Sequence, residues 1–444
     1  MRRALRRAAL GAAIAVTMVV GPGLAAPAAA QTMFRGDAAH SGVQAGAAPR
    51  ERPALKWSFA TGDRVVGSPA FADGVVYIGS DDGKLYALDA ATGRQRWQHR
   101  TGGPVSSSPA VAGGLVYVLS YDGRLHALDA ATGAVRWKFA TEGERRFEAR
   151  GLHGMQPRGQ TFADPFDCYL SSPVVAGGAV LFGSSDGHVY ALDAASGTLR
   201  WKFRTGDVVH ASPAVADGRV FVGSWDGRFY ALDLASGREL WHHEGGTDPL
   251  IHNQQGFQAS PAVAGDTVYT GSRDAHVYAF DVRSGKLKWS RDTAGSWVNT
   301  SPAVQDGRVH VATSDTALLL ALDAASGEPL WQQQGPAYMF GSPSLAGGVL
   351  LQPVLNGSLQ ARDRATGALL WEFQTEASRR NEGWVLTSER GFNGAQLYAS
   401  RWHDAMAQGF ARQSSVGSFF SSPLVVGGTV YIGSADGRVY ALGS

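Results

Sequence analysis

The chain has 444 residues, 44 % of them hydrophobic and 18 % charged, with a formal net charge of +2. That is ample apolar material for a large buried core, and too little positive charge to argue for a nucleic-acid or anionic-membrane partner. The only cysteine, Cys168, excludes an intrachain disulfide.

In chain order, residues 1–30 read as a cleavable export signal. MRRALRRAAL is a basic start, GAAIAVTMVVGPGLAA an apolar stretch, and APAAAQ a small-residue site suited to cleavage after Ala30. Gly21-Pro22-Gly23 interrupts the apolar run, which therefore falls short of the ~20 uninterrupted residues of a membrane span. Arg2, Arg3, Arg6 and Arg7 leave with the signal and no acid does, so the charge falls from +2 to −2. The arginine pairs are compatible with twin-arginine export and with the ordinary route alike. No cysteine ends the signal to carry a lipid. The expected product is exported, periplasmic or secreted, and soluble after cleavage, with no integral membrane segment. Residues 31–53 follow as an N-terminal extension.

From residue 54 to 444 the chain repeats. The unit is clearest at 107–137, SSPAVAGGLVYVLSYDGRLHALDAATGAVRW. Its Ser-Pro prolines recur at 69, 109, 173, 213, 261, 302, 343 and 423, and its tryptophans at 57, 97, 137, 201, 241, 289, 331 and 371. Alternating apolar residues separated by DG, GG and ATG turns predict four short strands per unit. Units of about 40 residues suit propeller blades. Openings and closings are out of phase, because Trp57 precedes the first Ser-Pro and the last unit ends before a tryptophan. A strand around Trp57 that completes the last blade resolves the mismatch, which a linear solenoid leaves unexplained. The expected fold is all-β: a single eight-bladed propeller of four-stranded antiparallel blades, closed by its N-terminal strand.

These ALDAATGxxxW units resemble the tryptophan-docking motifs of the pyrroloquinoline-quinone-type eight-bladed propellers, over nearly the whole of residues 54–444. That family includes quinoprotein alcohol dehydrogenases and an accessory lipoprotein of outer-membrane protein assembly. The resemblance implies the fold, while function has to come from the site. Dehydrogenases of this type clamp their quinone with a disulfide between adjacent cysteines, and Cys168 has no such neighbour. Neither their Glu/Asn/Asp calcium constellation nor a CxxCH haem motif is found. No cofactor is expected, with pyrroloquinoline quinone and calcium left as the alternative that the resemblance implies. The Asp-Gly pairs read as turn formers and the tryptophans as braces between blades.

The regular spacing from tryptophan to proline, 12 from Trp97 to Pro109, grows to 36 from Trp137 to Pro173, 20 from Trp241 to Pro261 and 52 from Trp371 to Pro423. The resulting insertions, at about 141–170, 244–258 and 375–420, should share one face with the hairpins bearing Tyr121, Trp225 and Arg273. Three residues before the repeated prolines stand Val66, Ser106, Leu170, His210, Gln258, Asn299, Phe340 and Phe420. His210, Gln258 and Asn299 therefore form a polar arc on consecutive blades. Either they satisfy one another in a local network, or they wall an axial ligand pocket with His252, Asn253, Arg273, Trp225 and Trp297. The insertions add a second candidate group: Arg146, His153 and Asp167, then Trp384, Arg401 and His403. There arginines could hold the carboxylates of an anionic carbohydrate. No residue is assigned a catalytic role, and two histidines from different loops make no zinc spacing.

The reading from sequence is an exported ligand-binding or protein-interaction propeller with a polar axial site. Its partner would be a small polar ligand, a carbohydrate or another exported protein. The alternatives are a secreted carbohydrate-acting enzyme and, behind it, a quinone-dependent oxidoreductase.

Overall fold

Each repeat becomes an antiparallel meander because its turns are written into it. In the second blade, strands Ala110–Ala112, Leu115–Ser120, Arg124–Asp129 and Val135–Ala140 pair in order. Asp129 Oδ1 accepts from the Thr132 amide (3.0 Å) and hydroxyl (2.9 Å), folding the ATG turn. Gly133 closes that turn at φ +74°, and a Cβ there would lie 2.6 Å from the Trp97 ring. The computed structural model describes residues 31–247 and 256–443. It contains eight such four-stranded sheets, the expected eight-bladed propeller. In the eighth sheet the outer strand is Ala54–Ala60, paired antiparallel with Arg438–Gly443.

Neighbouring blades are joined by the tryptophans. Trp97 Nε1 donates to the Ala130 carbonyl of the next blade (3.0 Å), and its indole lies against Gly133. The same bond runs from Trp57 to Ala90, from Trp201 to Leu234 and from Trp289 to Ala324. Trp371 is the exception. Its indole donates instead to the Pro49 carbonyl of the N-terminal extension (2.8 Å).

The Ser-Pro pairs form a second ring, at the axis. The Ser68 amide donates to Ser108 Oγ, Ser108 to Ser172, Ser172 to Ser212, and Ser212 to Ser260, each at 2.9 Å. Ser260 continues to Ser301, Ser301 to Ser342 and Ser342 to Ser422, at 2.9–3.2 Å. Ser422 returns to Ser68 at 2.9 Å, so the circuit is complete. It surrounds an axial cavity of only about 40 Å³, a space on the scale of a few water molecules.

The extension stoppers the axis from one end. Its carbonyls at Gln31, Thr32, Ala38, Ala39, Ser41 and Gly42 accept the amides of Phe71, Val111, Val215, Val263, Val304 and Leu345. Those are innermost-strand donors on six blades, which would otherwise be an unpaired edge. Arg35 donates to the carbonyls of Pro302 (2.9 Å) and Pro343 (2.6 Å), and Phe34 lines the axial cavity. Among the described residues no helix is long and apolar enough to cross a membrane.

Removing one girdle hydroxyl strands a buried amide. Ser212→Ala should cost about 1–3 kcal/mol in urea unfolding through the orphaned Ser172 N–H, whereas the same change at exposed Ser290 should be near neutral.

Candidate functional site

Residues 141–170 fold over the ring as a plug whose tip, Asp164 to Cys168, is buried. Two carboxylates anchor it. Asp164 Oδ2 accepts from Arg273 Nη1 at 2.6 Å, and both groups are fully buried. Arg273 Nε and Nη2 also donate to Gln258 Oε1, at 3.1 and 2.8 Å. Its guanidinium lies 4.1 Å from the Trp225 ring centre and 4.3 Å from that of Trp297. Phe147 of the plug stacks on the far side of Trp225 at 4.2 Å. A desolvated cation is thus held by a carboxylate, an amide oxygen and two indole faces. Burial pushes the Asp164 carboxyl up, but the charges of Arg273 and His153 outweigh it and hold it well below the usual carboxylate range.

The second anchor explains His210. Its Nδ1 lies 2.6 Å from Asp167 Oδ1 and its Nε2 2.7 Å from Ser185 Oγ, while Ser185 Oγ donates to Glu144 Oε2 at 2.6 Å. With Asp167 on Nδ1 and Glu144 just beyond Ser185, the surroundings favour the charged imidazolium. Burial pushes its pKa down, yet Asp167, with Glu144 behind it, raises it above the ordinary value. Ser185, His210 and Asp167 have the spacing of a nucleophilic triad, but all three are buried and Glu144 Oε2 also lies 2.6 Å from the Ser185 hydroxyl. Here they latch the plug.

The polar arc is therefore closed over. His210 is bound to Asp167 and Gln258 to Arg273, while Asn299 is buried facing the axial cavity, with no hydrogen-bond partner for either side-chain atom among the described residues. His252 and Asn253 lie outside the described residues. The larger space sits one layer outward, between the plug and residues 394–406 of the long insertion. It is a pocket of about 540 Å³, walled by Phe166, Trp297, Tyr338, Phe340 and Tyr398, with His153, Asp315, Ser400 and Arg401 as polar lining. His153 Nε2 lies 3.1 Å from Asp164 Oδ1, which orients the ring.

The two long insertions meet at this pocket's rim. The Gln156 amide donates to the Arg401 carbonyl (2.9 Å), the His403 amide to the Gln156 carbonyl (3.2 Å), and the His403 ring stacks on Phe162 at 4.8 Å. Of the residues singled out in the sequence, Trp297, His153 and Arg401 line the pocket, and Arg273, Trp225, Gln258, His210 and Asp167 lie beneath it. Trp384 stands apart, 52 % exposed, and Arg146 forms no ion pair among the described residues. Sequence reasoning missed Tyr338, Tyr398, Asp315 and Met406. Tyr338 follows Trp331 in a connection of ordinary length, where only its bulk could have marked it.

A family model described as outer membrane protein assembly factor BamB matches residues 47–172, 165–291 and 251–444. The chain belongs to this family. BamB of Xanthomonas campestris pv. campestris is 30 % identical over 141 residues, 31 % of this chain and 34 % of that protein. The match thus spans about a third of the curated relative's length. BamB from Moraxella catarrhalis superimposes with a TM-score of 0.65 at 18 % identity, covering 88 % of this chain and all of that one. The quinohemoprotein alcohol dehydrogenase of Comamonas testosteroni gives 0.68 at 17 % identity, covering 93 % and 80 %. At these identities the structural likenesses speak for the fold alone.

The dehydrogenase likeness raises the question of a quinone with calcium. A 40 Å³ axis ringed by serine and stoppered by Phe34 does not fit a fused-ring quinone. No three His, Cys, Asp or Glu side chains gather as a metal site among the described residues. Cys168 is a lone thiol, which burial pushes up to about 12.

Two outcomes test the anchors. Asp164→Asn leaves Arg273 buried without its counter-charge and should lower unfolding stability by about 3–5 kcal/mol. The His210 contribution is complete below its ordinary pKa of about 6.5 and is lost as pH rises through the raised native value. Unfolding measured from pH 6 to 9 should show stability declining in the wild type and a flatter profile in the His210→Gln/Asp167→Asn double variant.

Proposed function

We propose that this chain is an exported recognition propeller that binds at its capped mouth. Membership of a family named for outer membrane protein assembly supports an interaction scaffold, and the N-terminal sequence supports export. One observation carries the reading: the pocket of about 540 Å³ with five aromatic rings in its wall and a few polar groups among them. That composition suits a polar, ring-bearing ligand, either free, as part of a carbohydrate, or displayed by another exported protein. The rigid ring supplies the mounting, and the insertions supply the specificity.

A carbohydrate-acting enzyme is the second reading, favoured by the His153–Asp164 pair. His153 lines the pocket with its ring oriented by a carboxylate, as a proton-handling group would be. His210 is unavailable for that role because it is sealed beneath the plug.

Intrinsic tryptophan fluorescence, titrated with a panel of aryl glycosides and aromatic peptides, separates these cases. A bound ligand should be recovered unchanged, and Trp297→Ala should weaken it about tenfold or more. Turnover abolished by His153→Ala would instead establish the enzyme. Binding indifferent to both Trp297→Ala and Tyr338→Ala would remove the mouth from consideration.

A further inference from the structure

Beside the mouth pocket lies a second cleft, of about 430 Å³, lined by Arg150, Arg158 and Arg401 with glycines between them. Arg401 lines both spaces. Among the described residues none of the three arginines forms an ion pair, although other arginines of the same two insertions do: Arg145 with Asp207, Arg380 with Glu376, Arg390 with Glu372. Arg150 spends one donor on the Gly159 carbonyl (2.6 Å), which aims the group without neutralising it. Arg401 is held at its backbone, where the two insertions pair. Its guanidinium rests on Gly154 (φ +66°), where a Cβ would come within 2.9 Å of Nη1. A side chain at that position would displace the arginine. Of the carboxylates nearby, Asp164 is already committed to Arg273 and His153, and Asp315 lines the mouth pocket but not the cleft.

Three uncompensated guanidiniums at the edge of an aromatic pocket are an anion-selective arrangement. We propose that mouth and cleft form one bipartite site for an acidic sugar. The flat face of the sugar ring lies against the aromatic wall, and its carboxylate or phosphate is held by Arg401 with Arg150 and Arg158. The proposal rests on the recognition reading above and adds the charge of the ligand to it.

Calorimetric titration of the purified chain compares 4-nitrophenyl β-D-glucuronide, 4-nitrophenyl β-D-glucoside and 4-nitrophenyl β-D-glucoside 6-phosphate. At least one anionic glycoside should bind about tenfold or more tighter than the neutral one. Which of the two does so identifies the anion. Arg401→Gln and Arg158→Gln, both at exposed positions, should shrink that preference with unchanged circular dichroism, and Arg158→Gln, which lines the cleft and not the mouth pocket, should leave glucoside affinity within about twofold. The preference should also fall with added salt. The proposal is overturned if neither anionic glycoside binds, if all three bind equally, or if the preference survives in both arginine variants. The recognition reading fails separately, if Trp297→Ala leaves the affinity of whichever glycoside binds unchanged.

Discussion

Eight amide-to-hydroxyl hydrogen bonds around the axis set the scale for everything else in this molecule. Each links the serine before a repeated proline to the same serine of the next blade, and the last returns to the first. Bonds of 2.9–3.2 Å fix how closely eight inner strands approach. Proline contributes by removing a donor, so that the serine amide is the group left to be satisfied there. The result is an axis too narrow for a ligand, with the N-terminal extension across one end. The larger open space is displaced outward to the loops of the other end.

Placing a loop over that end requires burying its polar backbone and two carboxylates, which is unfavourable unless each finds a partner. Asp164 and Asp167 find Arg273 and His210, which explains why a histidine replaces valine, serine or leucine in one copy of the repeat. The two anchors differ in kind. Arginine stays charged at any ordinary pH and is stacked between indoles, so the Asp164 anchor is permanent. Imidazolium depends on its neighbours to keep a proton, which makes the His210 latch the titratable half of the closure. Once seated, the plug offers its outer face, including His153 and Phe166, as one wall of the mouth, and pairs with the long insertion at Gln156 to form the rim.

Much of this was legible in the residues. The spacing of Trp and Ser-Pro announced eight blades, and Trp297, His153 and Arg401 were singled out before their neighbourhood was known. The polar arc was read as an alternative between internal network and ligand wall. Its members proved mostly engaged with insertion and hairpin residues, since Asp167 and Asp164 come from a loop whose path no periodicity describes. The serine girdle went unread although every serine in it was in view as part of the repeat. A hydrogen bond between equivalent residues of different copies leaves no trace in the spacing of any one copy. The extension gave no repeat signal either, so neither Phe34 in the axis nor Pro49 as the acceptor for Trp371 was foreseeable.

The sequence by itself determined the repeating strand, its turns and the number of blades, because those depend on interactions a few residues apart that every copy carries. Which loop meets which was decided only by the closed ring. Closure brings Asp164 to Arg273 across 109 positions and Trp371 to Pro49 across 322. The free energy of such pairs depends on burial and geometry supplied by the whole molecule, so no local pattern of residue types specifies them.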